Sequence, residues 1–508
     1  MTAPGSLVQL RPGVWAATGP DGVLHLLAPP QRRRLGPATP ALRDVLARLA
    51  GPPLVPSQLP STMDGSGLVA ELDRDGWLVT TVTWQDRPEW TVVPLGPPRA
   101  GAGGAVLSRF AALRRDGVEL VLESPVAEAR VRVHDPALLP LLAGPAIGAV
   151  AAAPGRPAVP AGPTVPAVTT VPAATMVPAV TTVPAVTTVP AVTTVPAVTT
   201  VPVVTTVPAV LADRFRVDLA RWGFLVPSAA AEENSLRLAQ WSPHELAFHA
   251  GSRLGRHHPP GAAGIAGVGW AAGRFPPVPA RRPAAGSTVE LPRADLDRLR
   301  LTDPPLTAVL EGRRSVRGHD DARPLTVDQF GEFLDRCAGV RQEWTAGGAE
   351  LSRRPYPSGG ALHELTLHLA VHRVAGLDPG FYRHDPYAHR LERLSGSTPP
   401  VRRMLELAGT AAETGTPPQV LVVVSARFGR LMAKYRAIGY ALVLKHVGVL
   451  TQVMYAVATA MELAPCALGT GDADAFAAAT GADPLAEAAV GEFALSSLPA
   501  GTDPPVRR

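Results

Sequence analysis

Four short stretches in the second half of the chain carry residues whose types and spacing could do chemistry. In GRRSVRG, Gly312 to Gly318, the residues Arg313, Ser315 and Arg317 alternate. In extended or turn geometry they project to one side and offer two guanidinium forks and a hydroxyl to a common acceptor. Phosphate is the natural acceptor, because Arg holds its oxygens in pairs and Ser adds a shorter contact. The same alternation would turn Val316 into the fold and Arg314 to solvent or a carboxylate; a solvated charge run is the other reading of these residues. YPSGG places Ser358, Gly359 and Gly360 directly before an apolar run. Two glycines let a backbone approach a flat ligand closely and the serine can hydrogen-bond it, although an ordinary turn has the same composition. MAKYRAIGY sets Lys434 and Tyr435 side by side, two groups able to move a proton, but such pairs are also common on surfaces. APCALGTGDADAF supplies Gly469 and Gly471 after an apolar stretch, then Asp472 as the cap of a further helix.

These pieces need elements to hold them. Thr307 to Gly312 leads into the arginine segment, and TVDQFGEFLDRCAGV reads as an amphipathic helix with Thr326 at its N-cap. LTLHLAVHRV and QVLVVVSAR are strands apolar enough to be buried on both faces. YALVLKHVGVLTQVMYAVATAMEL is a long, mostly apolar helix. From about Val289 onward the texture is that of an α+β catalytic domain, a sheet sandwiched by helices.

The first half is organised differently. Proline recurs at every sixth position from Pro166 through Pro208, in VPAVTT repeats. Proline fixes φ and removes a backbone donor while Val and Thr favour extended geometry, so residues 151–210 are expected to form an extended spacer rather than a β-helix. Before it, ALRDVLARLAG and GLVAELDRDGWLVTTVTW read as helix, helix, Gly turn and alternating strand, a winged-helix-like order within residues 1–150. RFAALRRDGVELVLESPVAEARVRVHD is expected to give a helix and two strands, with Val118, Leu120, Leu122, Ala129, Val131 and Val133 facing inward. After the spacer, ADRFRVDLARWGFLVP repeats the helix, Gly, strand theme. It suggests a second winged unit in 211–288 into whose loop the spacer was inserted. Residues 289–508 form the last domain.

Bulk properties narrow the function. With 508 residues, 46% hydrophobic and 18% charged, the chain can bury more than one core. Forty-eight basic residues are nearly balanced by 43 acidic ones and are scattered, so no nucleic-acid partner is expected. The two cysteines, Cys337 and Cys466, match no metal or redox spacing, so no metal is expected. No secretory signal is evident, and the apolar window from Pro136 to Gly155 is broken by prolines. A cytoplasmic protein without a membrane partner is the expectation.

The order of EGRRSVRG, YPSGGALHELTLHLAVHRV, KYRAIGYALVLKHVGVLTQVMYAVATA and GTGDADAFAAATGADPLAEAAVGEFAL resembles the nitroreductase-like FMN flavoproteins. It is more similar still to their SagB-type dehydrogenase branch, which includes azoline oxidases of natural-product biosynthesis. The upstream segments RFAALRRDGVELVLESPVAEARVRVHDP, RWGFLVP and LAQWSPHELAFHAGSRLGRHH extend the resemblance over most of the chain except the spacer. The resemblance implies FMN held noncovalently at a homodimer interface. Arg313, Ser315 and Arg317 match the family's phosphate and ribityl contacts. Pro357, Ser358 and Gly359 match the turn that the other subunit places against the isoalloxazine, and Gly469 and Gly471 fall near its glycine loop. Lys434 and Tyr435 match the pair that removes the proton in azoline oxidation. Val453, Glu462 and Ser496 depart from the family pattern, the last two standing where glycine is usual.

The implied activity is an FMN-dependent dehydrogenation of thiazoline or oxazoline rings to azoles in a ribosomally synthesised precursor peptide, with a cyclodehydratase as a further partner. Aromatisation removes a proton and a hydride; the flavin accepts the hydride and Lys or Tyr takes the proton. Two alternatives stand beside it. One is an NAD(P)H-dependent nitro or quinone reductase on the same fold, and the other a non-catalytic leader-peptide or DNA binding module.

Overall fold

Residues Val420–Ala426 are shielded from solvent on both faces, and the C-terminal half of the molecule is assembled around them. In the computed structural model, the residues described are 3–29, 31–59, 65–98, 104–143, 207–253 and 270–502. Of the expected spacer 151–210, residues 151–206 lie outside them, and Ala209 and Val210 already belong to a helix. The chain divides into two compact units, Met1–Pro243 and His244–Arg508.

In the second unit, Val420–Arg427 is paired on one side with Leu365–Val371 and on the other with Glu487–Ser497. The full sheet has seven strands, all neighbours antiparallel, in the order Thr288–Glu290, Arg390–Ser395, Gly380–Asp385, Leu365–Val371, Val420–Arg427, Glu487–Ser497 and Leu463–Leu468. Because side chains alternate along a strand, Val420, Val422 and Val424 feed one core and Leu421 and Val423 the other. The first core is covered by the helix Val327–Ala338 and the long helix Gly439–Ala460, and the second by the helices Pro399–Ala411 and Ala473–Thr480. This is the helix-flanked sheet expected from the continuous apolar strands. The predicted cap is present too: Thr326 Oγ1 accepts from the Gln329 N–H, and Gln329 returns the contact to the Thr326 N–H.

Residues 270–282, expected upstream of the catalytic domain, are tied into this unit. Trp270 Nε1 donates to the Met432 carbonyl at 2.6 Å, Arg281 pairs with Glu343 and Arg282 with Glu487.

The first unit holds a six-stranded antiparallel sheet in the order Gly5–Leu10, Leu78–Trp84, Arg87–Pro94, Ala129–Val133, Glu119–Glu123 and Ala112–Asp116. The helices Pro40–Leu49 and Gly65–Arg74 precede the hairpin 78–94, in the order read from the sequence. That hairpin is built into the large sheet and does not stand as a free wing. The helix expected at 109–115 is instead the strand Ala112–Asp116. Gly117 at φ +62° closes a two-residue loop, and Arg114 pairs across the strands with Glu123. Val118 sits in that loop and is 93% exposed, so it does not face inward; Leu122, Ala129, Val131 and Val133 do.

The helix Ala209–Arg221 beyond the repeat shares a core with the strands before it. Phe215 meets Trp90 edge to face at 5.0 Å, and Trp90 Nε1 donates to buried Asp218 at 3.0 Å. Leu225–Val226 then pairs with Val106–Leu107. The two flanks of the repeat therefore form one unit.

Candidate functional site

The arginine segment begins where the helix Leu306–Gly312 ends, with Arg313 already in extended geometry. The Val316 N–H donates to the Pro465 carbonyl at 2.8 Å, which lays the segment along the edge strand Leu463–Leu468. Tyr455, projecting from the long helix, is the residue around which the segment is arranged. Its hydroxyl lies 2.7 Å from Ser315 Oγ and accepts from the Ala467 N–H at 2.8 Å, while the Arg313 guanidinium sits 5.2 Å over its ring. Burial pushes the Cys466 thiol up in pKa, against the Arg317 charge and a hydrogen bond from Ser315, both of which pull it down. Arg313, Ser315 and Arg317 thus converge on Tyr455 and Cys466. Neither Arg313 nor Arg317 has a carboxylate partner among the described residues, Ser315 and Arg317 are exposed, and Val316 is half-buried.

Gly469 and Gly471 follow just past the end of this edge strand. A Cβ at Gly469 would meet open space, whereas one at Gly471 would run into the Glu492 carboxylate. Burial and the neighbouring Asp472 raise Glu492 to a pKa of about 7. Asp472 caps the next helix as expected, accepting from the Ala475 N–H at 2.9 Å.

The second cluster surrounds the turn Pro357–Gly360. Gly360, Ala361 and His363 all lie at positive φ, +64°, +57° and +47°, a run of left-handed backbone that is costly outside glycine and concentrates at functional sites. A Cβ at Gly360 would stand 2.8 Å from Lys434 Nζ and 3.3 Å from the Tyr435 hydroxyl; one at Gly359 would stand 3.3 Å from the Tyr435 ring. Glycine here serves both the conformation and the close approach. Lys434 Nζ lies 5.3 Å from the Tyr435 ring centroid, so amine and phenol share one small region over the turn. An open pocket of about 1000 Å³ has Gly360 and Lys434 on its wall, together with Pro276–Pro279 and the hairpin tip Gly347–Gly348.

Two residues that sequence reasoning passed over hold this turn. His446 Nε2 accepts from the Gly359 N–H at 2.9 Å, which places its proton on Nδ1, donated to Glu364 Oε1 at 2.6 Å. The other Glu364 oxygen accepts from Ser358 Oγ at 3.0 Å, and Ser358 Oγ accepts from the His363 N–H. Both ends of the acid–histidine pair are buried. The available signal was a lone histidine in the apolar helix sequence.

Among the departures, Glu462 is at φ +56°, a conformation that favours the glycine usual there. Ser496 Oγ is buried and accepts from the Gln419 N–H at 3.0 Å.

The structure thus brings the sequence-derived residues into two groups joined by one helix. Arg313, Ser315, Arg317, Gly469 and Gly471 lie by Tyr455, along the edge strand and just past its end, whereas Ser358, Gly359, Lys434 and Tyr435 lie by His446. Nine residues of helix, about 13 Å of rise, separate the two anchors.

With that geometry in hand, comparison with known proteins places the C-terminal unit. The model of the nitroreductase family matches residues 310–495, and that of the cyanobactin oxidase ThcOx matches residues 105–162. A protein of Methanocaldococcus jannaschii classed by name with the nitroreductases is 27% identical over 184 residues, 36% of this chain and 85% of the relative. A crystal structure from Ralstonia eutropha, likewise classed, has 21% identity and a TM-score of 0.33, covering 44% of this chain and all of that one. The Escherichia coli microcin synthetase McbBCD complex with truncated pro-MccB17 bound has 21% identity and a TM-score of 0.32, covering 37% and 70%. Distant structures of nitroreductase-named proteins hold FMN. The family match gives residues 310–495 a nitroreductase-like fold.

Proposed function

We propose that the C-terminal unit is an FMN-dependent oxidoreductase and that its reaction is the dehydrogenation of azoline rings in a ribosomally made peptide. The observation that carries the finer reading is the placement of Lys434 Nζ and the Tyr435 hydroxyl over the strained turn at Gly360, beside an open pocket. The match to a cyanobactin oxidase model over 105–162 supports it from the other unit.

The residues present fit the cofactor. Arg313 and Arg317 offer guanidinium groups without carboxylate partners among the described residues, as a phosphate ester requires, and Gly469 borders open space that a flat ring could approach. FMN, when bound, supplies the hydride acceptor. This chain's own residues do the rest. Arg313, Ser315 and Arg317 hold the phosphate end, and the turn, fixed by His446 and Glu364, presents its backbone to the ring. Lys434 Nζ, with the Tyr435 hydroxyl beside it, takes the proton from the azoline carbon and returns it to solvent through the open pocket.

Because the two groups sit at different heights on one helix, the reading includes a homodimer in which one copy's clamp faces the other's turn. Tyr440, Leu444 and Val449, exposed on that helix, would be covered by the second copy. The peptide substrate, a cyclodehydratase partner and a cytoplasmic location belong to the same proposal.

A nitro or quinone reductase on the same fold is the second reading, and it has the longer match, residues 310–495, together with the archaeal relative. The deciding experiment incubates FMN-loaded protein with an azoline-bearing peptide and, separately, with NADPH and a quinone. Loss of two hydrogens per ring without nicotinamide supports the dehydrogenase. NADPH oxidation with an unchanged peptide mass supports the reductase and removes the azoline reading.

A further inference from the structure

Apart from three charged residues, every side chain on the wall of the pocket at Lys434 is apolar or absent. One side is the strap 275–279, in which Pro276, Pro277 and Pro279 have no backbone N–H to offer. Leu351 of the hairpin and Leu362 beyond the turn add apolar side chains. Phe275 is 56% exposed, steadied by Trp270 edge to face at 6.0 Å and by the Arg274 guanidinium at 5.6 Å from its ring centre. Neither of those two residues lines the pocket.

Two of the three charges are spent within the protein. Arg430 is buried and donates to three carbonyls: Nε and Nη2 to Leu362, Nη1 to Val278 at 2.9 Å and Nη2 to Glu350 at 2.7 Å. One guanidinium thus ties strap, hairpin and turn together, so the pocket stands formed before a ligand arrives. The Glu350 carboxylate accepts from the Ala280 N–H. Lys434 Nζ has no carboxylate or hydrogen-bond partner among the described residues, its neighbour being the Tyr435 ring.

The volume, about 1000 Å³, lies at the top of the range of roughly 300–1,000 Å³ common for small-ligand pockets and far exceeds one five-membered ring. The neighbours of such a ring along a peptide must therefore lie in it as well. An apolar neighbour is taken out of water against Phe275, Val278, Leu351 and Leu362, a gain proportional to the area covered. A carboxylate has Lys434 to pair with, but an ion pair in an open pocket is screened by water and adds little, while the acid exchanges hydration for proline and alanine. An acid seated there would also pair with the amine that the proposed reaction needs free.

We propose that this pocket selects a ring-bearing peptide by the neighbours of the ring, taking segments in which apolar residues flank it and turning away those in which acids do. The identity of the ring rests on the azoline reading; the preference for apolar neighbours rests on the wall. Phe275 is the specificity-determining residue. Of the four large apolar side chains on the wall it alone is exposed, so a ligand covers more new apolar surface there than at Val278, Leu351 or Leu362.

The test is fluorescence anisotropy of dye-labelled peptides on full-length protein with saturating FMN, which keeps acids off Arg313 and Arg317. Each peptide carries one thiazole, the oxidised ring that cannot react further, flanked on both sides by Val, Asn or Asp. The expected result is Val-flanked binding at least about tenfold tighter than Asp-flanked, Asn between them, and a ratio reduced at least about tenfold in Phe275→Lys at unchanged FMN affinity. Asp-flanked peptide binding as tightly as Val-flanked, no binding of any peptide, or an unchanged ratio in Phe275→Lys would each overturn the proposal. The wild-type comparison among three peptides needs no variant to fold. Mass spectrometry of the matching thiazoline peptides separates the two readings. A preserved binding ratio with no loss of hydrogen removes the reaction and leaves the pocket's preference, whereas loss of hydrogen with equal affinities removes the preference and leaves the reaction.

Discussion

The two ends of the helix Gly439–Ala460 are built on opposite principles. At the Tyr455 end, cations stand on irregular backbone along an edge strand, and their positions come from one tyrosine hydroxyl and one backbone hydrogen bond to Pro465. At the His446 end the backbone is strained through Gly360, Ala361 and His363, and a buried acid–histidine pair holds it in place. The first is an end that can wait for a charged ligand to complete it. The second is complete within the chain, since its hydrogen bonds close through Ser358, Glu364, His446 and Gly359. Under the proposed function, holding a cofactor and moving a proton fall to these two different constructions, and substitutions should separate them.

The largest separation is expected from Lys434→Ala. Turnover of an azoline peptide should fall by roughly 10²–10⁴, as for loss of a general base, while FMN affinity stays within about twofold by fluorescence titration. Equal losses in both would merge the two ends into one function. Next come Arg313→Ala and Arg317→Ala. Each removes a charge-assisted contact and should weaken FMN binding roughly ten- to hundredfold, with turnover at saturating FMN close to that of the unaltered protein.

At the clamp end, Glu492 makes stability depend on pH. Its folded pKa of about 7 lies above the ordinary 4.5, so below pH 4.5 both folded and unfolded forms are protonated and there is no penalty. As pH rises from 4.5 through 7 the unfolded form ionises first, and stability is lost. Glu492→Gln should flatten that slope and leave the unit about 1–3 kcal/mol more stable at pH 8, read by denaturant melts. A slope of unchanged size in the variant would rule out this carboxyl as its source. The smallest effect is expected from Glu364→Gln at the turn end. It keeps the shape but swaps a charged acceptor for a neutral one, and should cost about 1–2 kcal/mol of stability and lower turnover more than it lowers FMN affinity.

The pieces of this comparison are unevenly legible in the sequence. Leu365–Val371 and Val420–Arg427 are legible because both faces of each strand are largely buried and the sequence is mostly apolar, interrupted only by Thr366 and His368 in the first and by Ser425 and the terminal Arg427 in the second. Thr326 and Asp472 are legible because capping is local, settled within three residues. Ala112–Asp116 reads as a helix, since Ala, Leu and Arg suit one; the turn at Gly117 and the cross-strand pair with Glu123 decide otherwise. The strands from Gly5 to Pro37 are harder to read: Gln31–Pro37 alternates in burial but carries three arginines in a row, and Val23–Ala28 is buried through its first four residues, so neither shows an apolar period of two. Glu364 and His446 are invisible for a different reason: the partners are 82 residues apart, and only the fold brings a strand start against the long helix. Tyr455 escapes similarly, as one aromatic residue among many apolar ones on that helix.

The central claim is that a proton is taken at Lys434 while the cofactor is held elsewhere, and mass spectrometry of an azoline peptide tests it most directly. After incubation with FMN-saturated protein the peptide should lose two hydrogen atoms per ring, and with FMN-saturated Lys434→Ala its mass should not change. An unchanged peptide mass with the unaltered protein, or the same loss of hydrogen with both, would contradict it.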